Sequence, residues 1–328
     1  MRYHGPLVFQ QADSPLSAQF ILDRSGNSSK GLDAAERLQR IADGLRQLPR
    51  VCFRASELSF EQLDTILPAV HSKHYLEFLG SLGANDGDET ALVSHPFIAP
   101  GVAPDTPVTA GMYSVAREAA RTAAGAAMWT VRNAPLTYAL CRPPGHHAGR
   151  SWLGGYCYLN NAVIAVRTLL NAGVARVGLI DLDFHFGNGS AALLSDERQV
   201  IFASIHCSTE ESYPYLKTES AHERQLFISL GTSITEGEYL GAVTAAIEAV
   251  SRFGCDALVV SIGYDIIDGD PHGKWNMPCT IYKEVGKLLA ETSIPICLVQ
   301  EGGYLLESLG SCAFYLGSGL LGQTDVLT

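Results

Sequence analysis

The segment RVGLIDLDFHFGNGS, residues 176–190, decides the fold. Its first half is a short, β-branched apolar run without period-two alternation, the pattern of a strand buried on both faces in a parallel sheet. Its second half ends that strand in acid, acid and imidazole, with Asp181, Asp183 and His185 two residues apart. Side chains at i and i+2 of a strand end point the same way, so the Asp183 carboxylate and the His185 imidazole converge. An oxygen and a nitrogen ligand suit a borderline divalent ion, zinc above all. Two carboxylates beside an apolar strand need a cation or hydrogen-bond donors. Asp181 shares the parity and stands behind the pair.

Similar runs recur downstream: LTYALC (136–141), VIFASIH (200–206), LFISL (226–230), ALVVSIG (257–263) and PICLVQEGG (295–303). Between them YLNNAVIAVRTLLNAG (158–173), TEGEYLGAVTAAIEAVSRFG (235–254) and TIYKEVGKLLAETS (280–293) have helical periodicity, the first two closing at a glycine. Strand–helix alternation predicts an α/β domain with a mostly parallel central sheet flanked by helices, residues 1–328 forming one domain. In the first half, residues 29–48 and 61–82 read as helices, and residues 84–110 and 207–225 as long loops of the functional-rim kind. Sites in such sheets gather at strand C-terminal ends. Here those ends read CRPPGHH, DLDFH, SIH, GYD and QEGGY, so nearly all the reactive chemistry falls on one edge.

Asp265, directly after ALVVSIGY, is the third ligand candidate, while Asp268 and Asp270 lie further into the turn, where acids also serve as turn formers. Two aspartates and one histidine leave an open coordination position, as catalytic zinc requires. His146 and His147 follow another strand in RPPGHHAG, and neutral imidazole is a natural base for water near pH 7. Tyr304 follows two glycines, where a phenol can donate to a developing oxyanion.

Composition narrows the partners. The 328 residues carry a formal charge of −11, which argues against nucleic acid and modestly favours cations such as a polyamine or a lysine-rich tail. Eight scattered cysteines without a C-x-x-C pair read as reduced residues, and no apolar run is long enough to cross a membrane. The N-terminus shows no signal-peptide pattern, so the expected protein is soluble and cytoplasmic.

CRPPGHHAGRSWLGGYCYLNNAVIA, DLDFHFGNGS, SIGYDIIDGDP and QEGGYLLESLG together resemble the motif series of the zinc-dependent histone deacetylase family, in order and spacing, over roughly residues 110–310. AVHSKHYLEFL upstream supports it. The wording is most similar to bacterial acetylpolyamine amidohydrolases and class II deacetylases. The resemblance implies zinc (Zn2+) on Asp183, His185 and Asp265, with His147 as general base and His146 as its electrostatic or acid partner. Asp181 would stand behind His146, Asn188 behind His147, and Tyr304 would stabilise the oxyanion. Tyr156 and Tyr213 would wall the acyl-amine tunnel with Gly155 on its floor. A structural potassium ion (K+) would lie near Asp181 and Ser204. The implied substrate is a small acetylated amine or an acetyl-lysine peptide, and relatives of the polyamine type often form homodimers.

The chain departs from the family pattern in three places. Asn188 replaces the acid of class I members, as class II and polyamine enzymes commonly do. Phe186 stands where most members have a second histidine. The acidic gate of polyamine enzymes has no clear match; Asp105, Glu89, Asp86 and Asp88 are the candidates. Two other readings compete: a binuclear manganese ureohydrolase of the arginase kind, using Asp181, Asp183, Asp265 and Asp268, and a non-catalytic acyl-amine binding protein on the same fold.

Overall fold

The computed structural model describes residues 6–12, 14, 16, 20–23, 25–81, 95–217 and 223–322. The chain begins with strand β1 (Leu7–Gln10), a two-stranded hairpin β2 (Phe20–Leu22) and β3 (Ser28–Lys30), helix α1 (Glu36–Arg46) and strand β4 (Cys52–Arg54). Helices α2 (Phe60–Val70), α3 (Lys73–Ser81) and α4 (Met112–Arg132) follow. Then come β5 (Leu136–Leu140), α5 (Asn161–Asn171), β6 (Val177–Asp181), α6 (Asn188–Leu193), β7 (Val200–Cys207) and β8 (Gln225–Leu230). The remainder is α7 (Glu236–Phe253), β9 (Ala257–Ile262), α8 (Ile281–Glu291), β10 (Ile296–Gln300) and α9 (Leu306–Leu320).

Eight strands form one sheet in the order β4-β1-β5-β10-β9-β6-β7-β8, and every neighbouring pair is parallel. The six strands expected from apolar runs are all present. β6, β7, β9 and β10 are buried along their whole length, which explains their lack of alternation. One face packs on α2, α4 and α5, the other on α1, α7, α8 and α9, giving two apolar cores separated by the sheet.

Local chemistry sets the helix ends. Thr235 and Glu238 form a capping box at the start of α7, and Gly254, with φ +74°, ends it. The Asn160 side chain caps α5 by accepting from Val163 N. The single helix expected over 61–82 is two. At His71 the backbone becomes extended, because its ring is used elsewhere: Nδ1 lies 2.8 Å from Gly149 O, and Nε2 accepts from Asn160 N at 3.0 Å. His71 thereby ties the glycine-rich loop after β5 to the cap of α5. Strands β1 and β4, the hairpin, α4 and α9 were not expected from the sequence. All eight cysteines are free thiols. Among the described residues no helix is long and apolar enough to cross a membrane.

Candidate active site

The C-terminal ends of β5, β6, β9 and β10 meet at a cavity of about 350 Å³, lined among others by His146, His147, Gly155, Tyr156, Asp183, His185, Tyr213, His272 and Tyr304. Asp183, His185 and Asp265 come together at its floor. His185 Nδ1 lies 3.1 Å from both Asp183 Oδ1 and Asp265 Oδ2. That is close to the edge of a tetrahedron with bonds of about 2 Å, the length of zinc–nitrogen and zinc–oxygen bonds. Both carboxylates are fully buried. Burial, then the neighbouring Asp183 charge, push Asp265 up to about 7. Two buried acids facing one imidazole are a donor set that a divalent cation satisfies. The other Asp183 oxygen accepts from Gly302 N at 2.9 Å, and the other Asp265 oxygen from Phe184 N at 3.1 Å, so the backbone fixes both.

The tandem histidines have different supports. His146 Nδ1 sits 3.0 Å from Asp181 Oδ2, whose second oxygen accepts from Asp183 N. Burial opposes a charged His146, but Asp183, Asp181 and Glu301 outweigh it and raise it to about 10. His147 Nδ1 lies 2.8 Å from Asn188 Oδ1. An amide oxygen there accepts from Nδ1–H, which keeps the proton on Nδ1 and leaves Nε2 with its lone pair. Burial, then His146 and His185, hold His147 well below the usual imidazole range, so it is neutral near pH 7.

The walls are built with equal economy. Gly155 has φ +54°, and a Cβ there would come within 2.4 Å of the His147 ring. Tyr213 stands edge-on to His147 at 4.6 Å. Tyr304 has the buried Arg37 guanidinium 4.6 Å from its ring centroid, and burial raises its phenol well above the ordinary tyrosine range. Arg37 also donates at 2.6 Å to both Gly303 O and Glu301 O, and pairs with Asp33. The Glu301 carboxylate accepts from Gly145 N, His146 N and Ser261 Oγ, joining the ends of three strands.

The structure corrects several expectations. Asp105 is not an exposed gate acid: it is buried in the wall, accepting from Gly155 N at 2.9 Å and bonded to the Tyr213 side chain. Asp86, Asp88 and Glu89 lie outside the described residues. Phe186 packs its ring 4.6 Å from His206 and 4.9 Å from Phe227, so an apolar contact with β7 and β8 explains an aromatic there. The four-aspartate set of a binuclear site is not assembled, since Asp181 faces His146 and Asp268 is exposed. Sequence reasoning missed Asp33, Arg37 and His272, and left Asp270 as a turn former. Arg37 and Asp33, at i and i+4 of an ordinary amphipathic stretch, gave no signal. His272 sat beside a recognised motif, in the DPHG turn.

A histone deacetylase domain model matches residues 32–320. Acetylpolyamine amidohydrolase of Burkholderia pseudomallei is 34% identical over 284 residues, covering 78% of this chain and 83% of that protein. Acetylpolyamine amidohydrolase 1 of Pseudomonas aeruginosa is 34% identical over 217 residues, or 63% of this chain. The match spans only about three-fifths of that relative's length, 62%. A crystal structure of acetylpolyamine aminohydrolase from Burkholderia pseudomallei superposes with a TM-score of 0.84 at 29% identity, over 96% of this chain and 98% of that one. With the fold, the strand-end constellation and this span in agreement, the chain belongs to the histone deacetylase family.

Proposed function

We propose that residues 1–328 form one zinc-dependent amidohydrolase domain that removes acetyl or another short acyl group from a primary amine. The observation that carries this reading is the convergence of Asp183, His185 and Asp265 beneath a neutral His147 in one tyrosine-walled cavity. Zinc held by those three residues would polarise the amide carbonyl and make water more acidic.

The side chains account for the proton movements. His147 Nε2, left basic by the Asn188 contact, takes a proton as water adds to the carbonyl carbon. The Tyr304 phenol, kept protonated by burial, donates to the oxygen that gains charge. His146, held cationic by Asp183, Asp181 and Glu301, balances the negative charge beside it. A histidine proton then passes to the departing nitrogen as the C–N bond breaks, giving carboxylate and amine. Tyr156, Tyr213 and Gly155 line the path of the acyl chain. Asp181 and Ser204 are in register on β6 and β7, and we assign the structural potassium to that pair. Copies of the chain are expected to pair as homodimers or higher oligomers, which light scattering in solution measures.

The substrate is an acetylated polyamine or an acetyl-lysine side chain. Relatives carry names of both kinds, among them the polyamine deacetylase HDAC10 of Mus musculus and histone deacetylase 8 of Arabidopsis thaliana. The test is a turnover panel of acetylated polyamines and acetyl-lysine peptides with several acyl lengths, using zinc-loaded protein. Binding without turnover across the panel refutes the amidohydrolase reading.

A further inference from the structure

Asp270 takes no part in the chemistry just described, yet its carboxylate accepts four backbone hydrogen bonds beside the site. It is only 5% exposed. Oδ1 accepts from His272 N at 2.9 Å and Gly273 N at 3.3 Å; Oδ2 accepts from Tyr304 N at 2.7 Å and Leu305 N at 3.1 Å. Leu305 immediately precedes α9, so the anion also sits at the start of a 15-residue helix, where the macrodipole favours negative charge. The buried Arg37 guanidinium adds to that preference. One carboxylate therefore joins two loops that leave different strands, β9 and β10.

The two side chains carried by those loops also touch. The His272 ring lies edge-on to Tyr304 at 4.8 Å, and its Nε2 is 3.3 Å from the Tyr156 hydroxyl. Burial first, then His185 and Arg37, hold His272 down to about 4, so it presents an uncharged imidazole to the cavity. At its base the 266–277 loop is closed by Asp268 N to Met277 O at 3.0 Å and Met277 N to Ile266 O at 3.1 Å. The base is thus tied to itself, and the tip is tied to the tyrosine loop through Asp270 alone among the bonds described above.

We propose that Asp270 is a positioning residue that sets the Tyr304 phenol and the His272 wall as one unit. The role assigned to Tyr304 rests on the amidohydrolase reading above. Asp270→Asn preserves size but replaces one acceptor oxygen with an NH2 group, which turns a donor toward one of the two N–H pairs. A displacement of the phenol by about 1 Å costs roughly 10²-fold in rate. The expected result is therefore a kcat lowered by roughly 10- to 100-fold, with KM and zinc content little changed. In a Tyr304→Phe background the same substitution should cost no more than about 2-fold, because the phenol, the one of its two dependants that donates in the reaction, is already gone.

An equal loss in both backgrounds, or a wild-type kcat in Asp270→Asn, overturns the proposal. If Asp270→Asn does not fold, Asp270→Glu, which keeps the charge but shifts it by one methylene, is put through the same cycle with the same criteria. A readout independent of turnover is 13C-tyrosine NMR, with the Tyr304 ring signal assigned from Tyr304→Phe. Asp270→Asn should move that signal, and an unmoved signal overturns the proposal. Absence of wild-type turnover overturns the amidohydrolase reading and leaves the NMR result to decide the role of Asp270.

Discussion

Substituting Gly302 by alanine should weaken zinc binding at the proposed Asp183, His185 and Asp265 site without disturbing the fold. Gly302 does not have a left-handed backbone, so alanine brings no conformational penalty there. The obstacle is space. A Cβ at this position would stand 2.6 Å from Asp183 Oδ2 and 2.7 Å from Asp265 Oδ2. To regain ordinary contact at 3.4 Å, the Asp265 oxygen must recede by about 0.7 Å, and this is the same atom that faces His185 Nδ1. Metal–ligand distances tolerate only about 0.2 Å. Disturbing groups that merely orient a ligand weakens metal binding by about 10- to 100-fold. Displacing a ligand oxygen directly should reach at least the upper figure, close to 3 kcal/mol. Competition against a fluorescent zinc chelator measures this, with urea unfolding of the metal-free protein as the control for folding. Zinc affinity within about threefold of wild type in a folded Gly302→Ala protein would refute the assignment of Asp183 and Asp265 as ligands.

The remaining predictions use other parts of the molecule. Tyr304→Phe should lower kcat by about 10²- to 10³-fold with little change in KM, as loss of one oxyanion donor does; steady-state kinetics on the preferred acylated amine will show it. Asp33→Ala strips the shared counter-charge from Arg37 and Arg142, both at most 1% exposed, and should cost about 3–5 kcal/mol in urea unfolding. Chelation followed by elemental analysis on reconstitution should restore activity at one zinc per chain; two manganese ions per chain would contradict the single-site geometry. Acid should destabilise the protein through His71, which burial first, and then Arg150, lower to about 4. A histidine depressed in the folded state contributes full stability above its unfolded value near 6.5 and loses it as pH falls toward 4. For His71 the full loss is about 3 kcal/mol, of which about 2 kcal/mol is reached by pH 5, and unfolding midpoints at pH 7.5 and 5 should lie closer together in His71→Gln.

The sheet was legible in the sequence because its central strands are buried on both faces and so appear as unbroken apolar runs ending in reactive residues. Asp183, His185, His147 and Tyr304 stood out because each is chemically out of place beside such a run. Strands β1 and β4, four and three residues long, are too short to show any pattern. Helix α4 escaped notice because its buried face is built largely from alanine, whose hydrophobic contrast is weak. Asp270 and Glu301 were hidden for a different reason. Their partners are mostly backbone N–H groups on distant strand ends, and a contact with backbone leaves no mark on the partner's residue type. Phe186 is the reverse case: it was puzzling only while compared with a histidine, and becomes ordinary once His206 and Phe227 are seen beside it.

The strand order has a consequence for how the chain reaches this state. The first-made strands β4, β1 and β5 lie at one side of the sheet, and β6, β7 and β8 at the other. Between them stand β9 and β10, the last two of the sheet's eight described strands in chain order. During synthesis the two halves therefore have no common seam, and each exposes an unpaired inner edge until the segment from residue 257 onward wedges between them. Asp183 and His185 must wait for Asp265, and His147 for Tyr304, so the proposed metal site would be completed only once the segment from β9 onward is in place. A truncation before β9 would split the barrier between the two cores down its middle, leaving two sticky half-sheets for chaperones to shield.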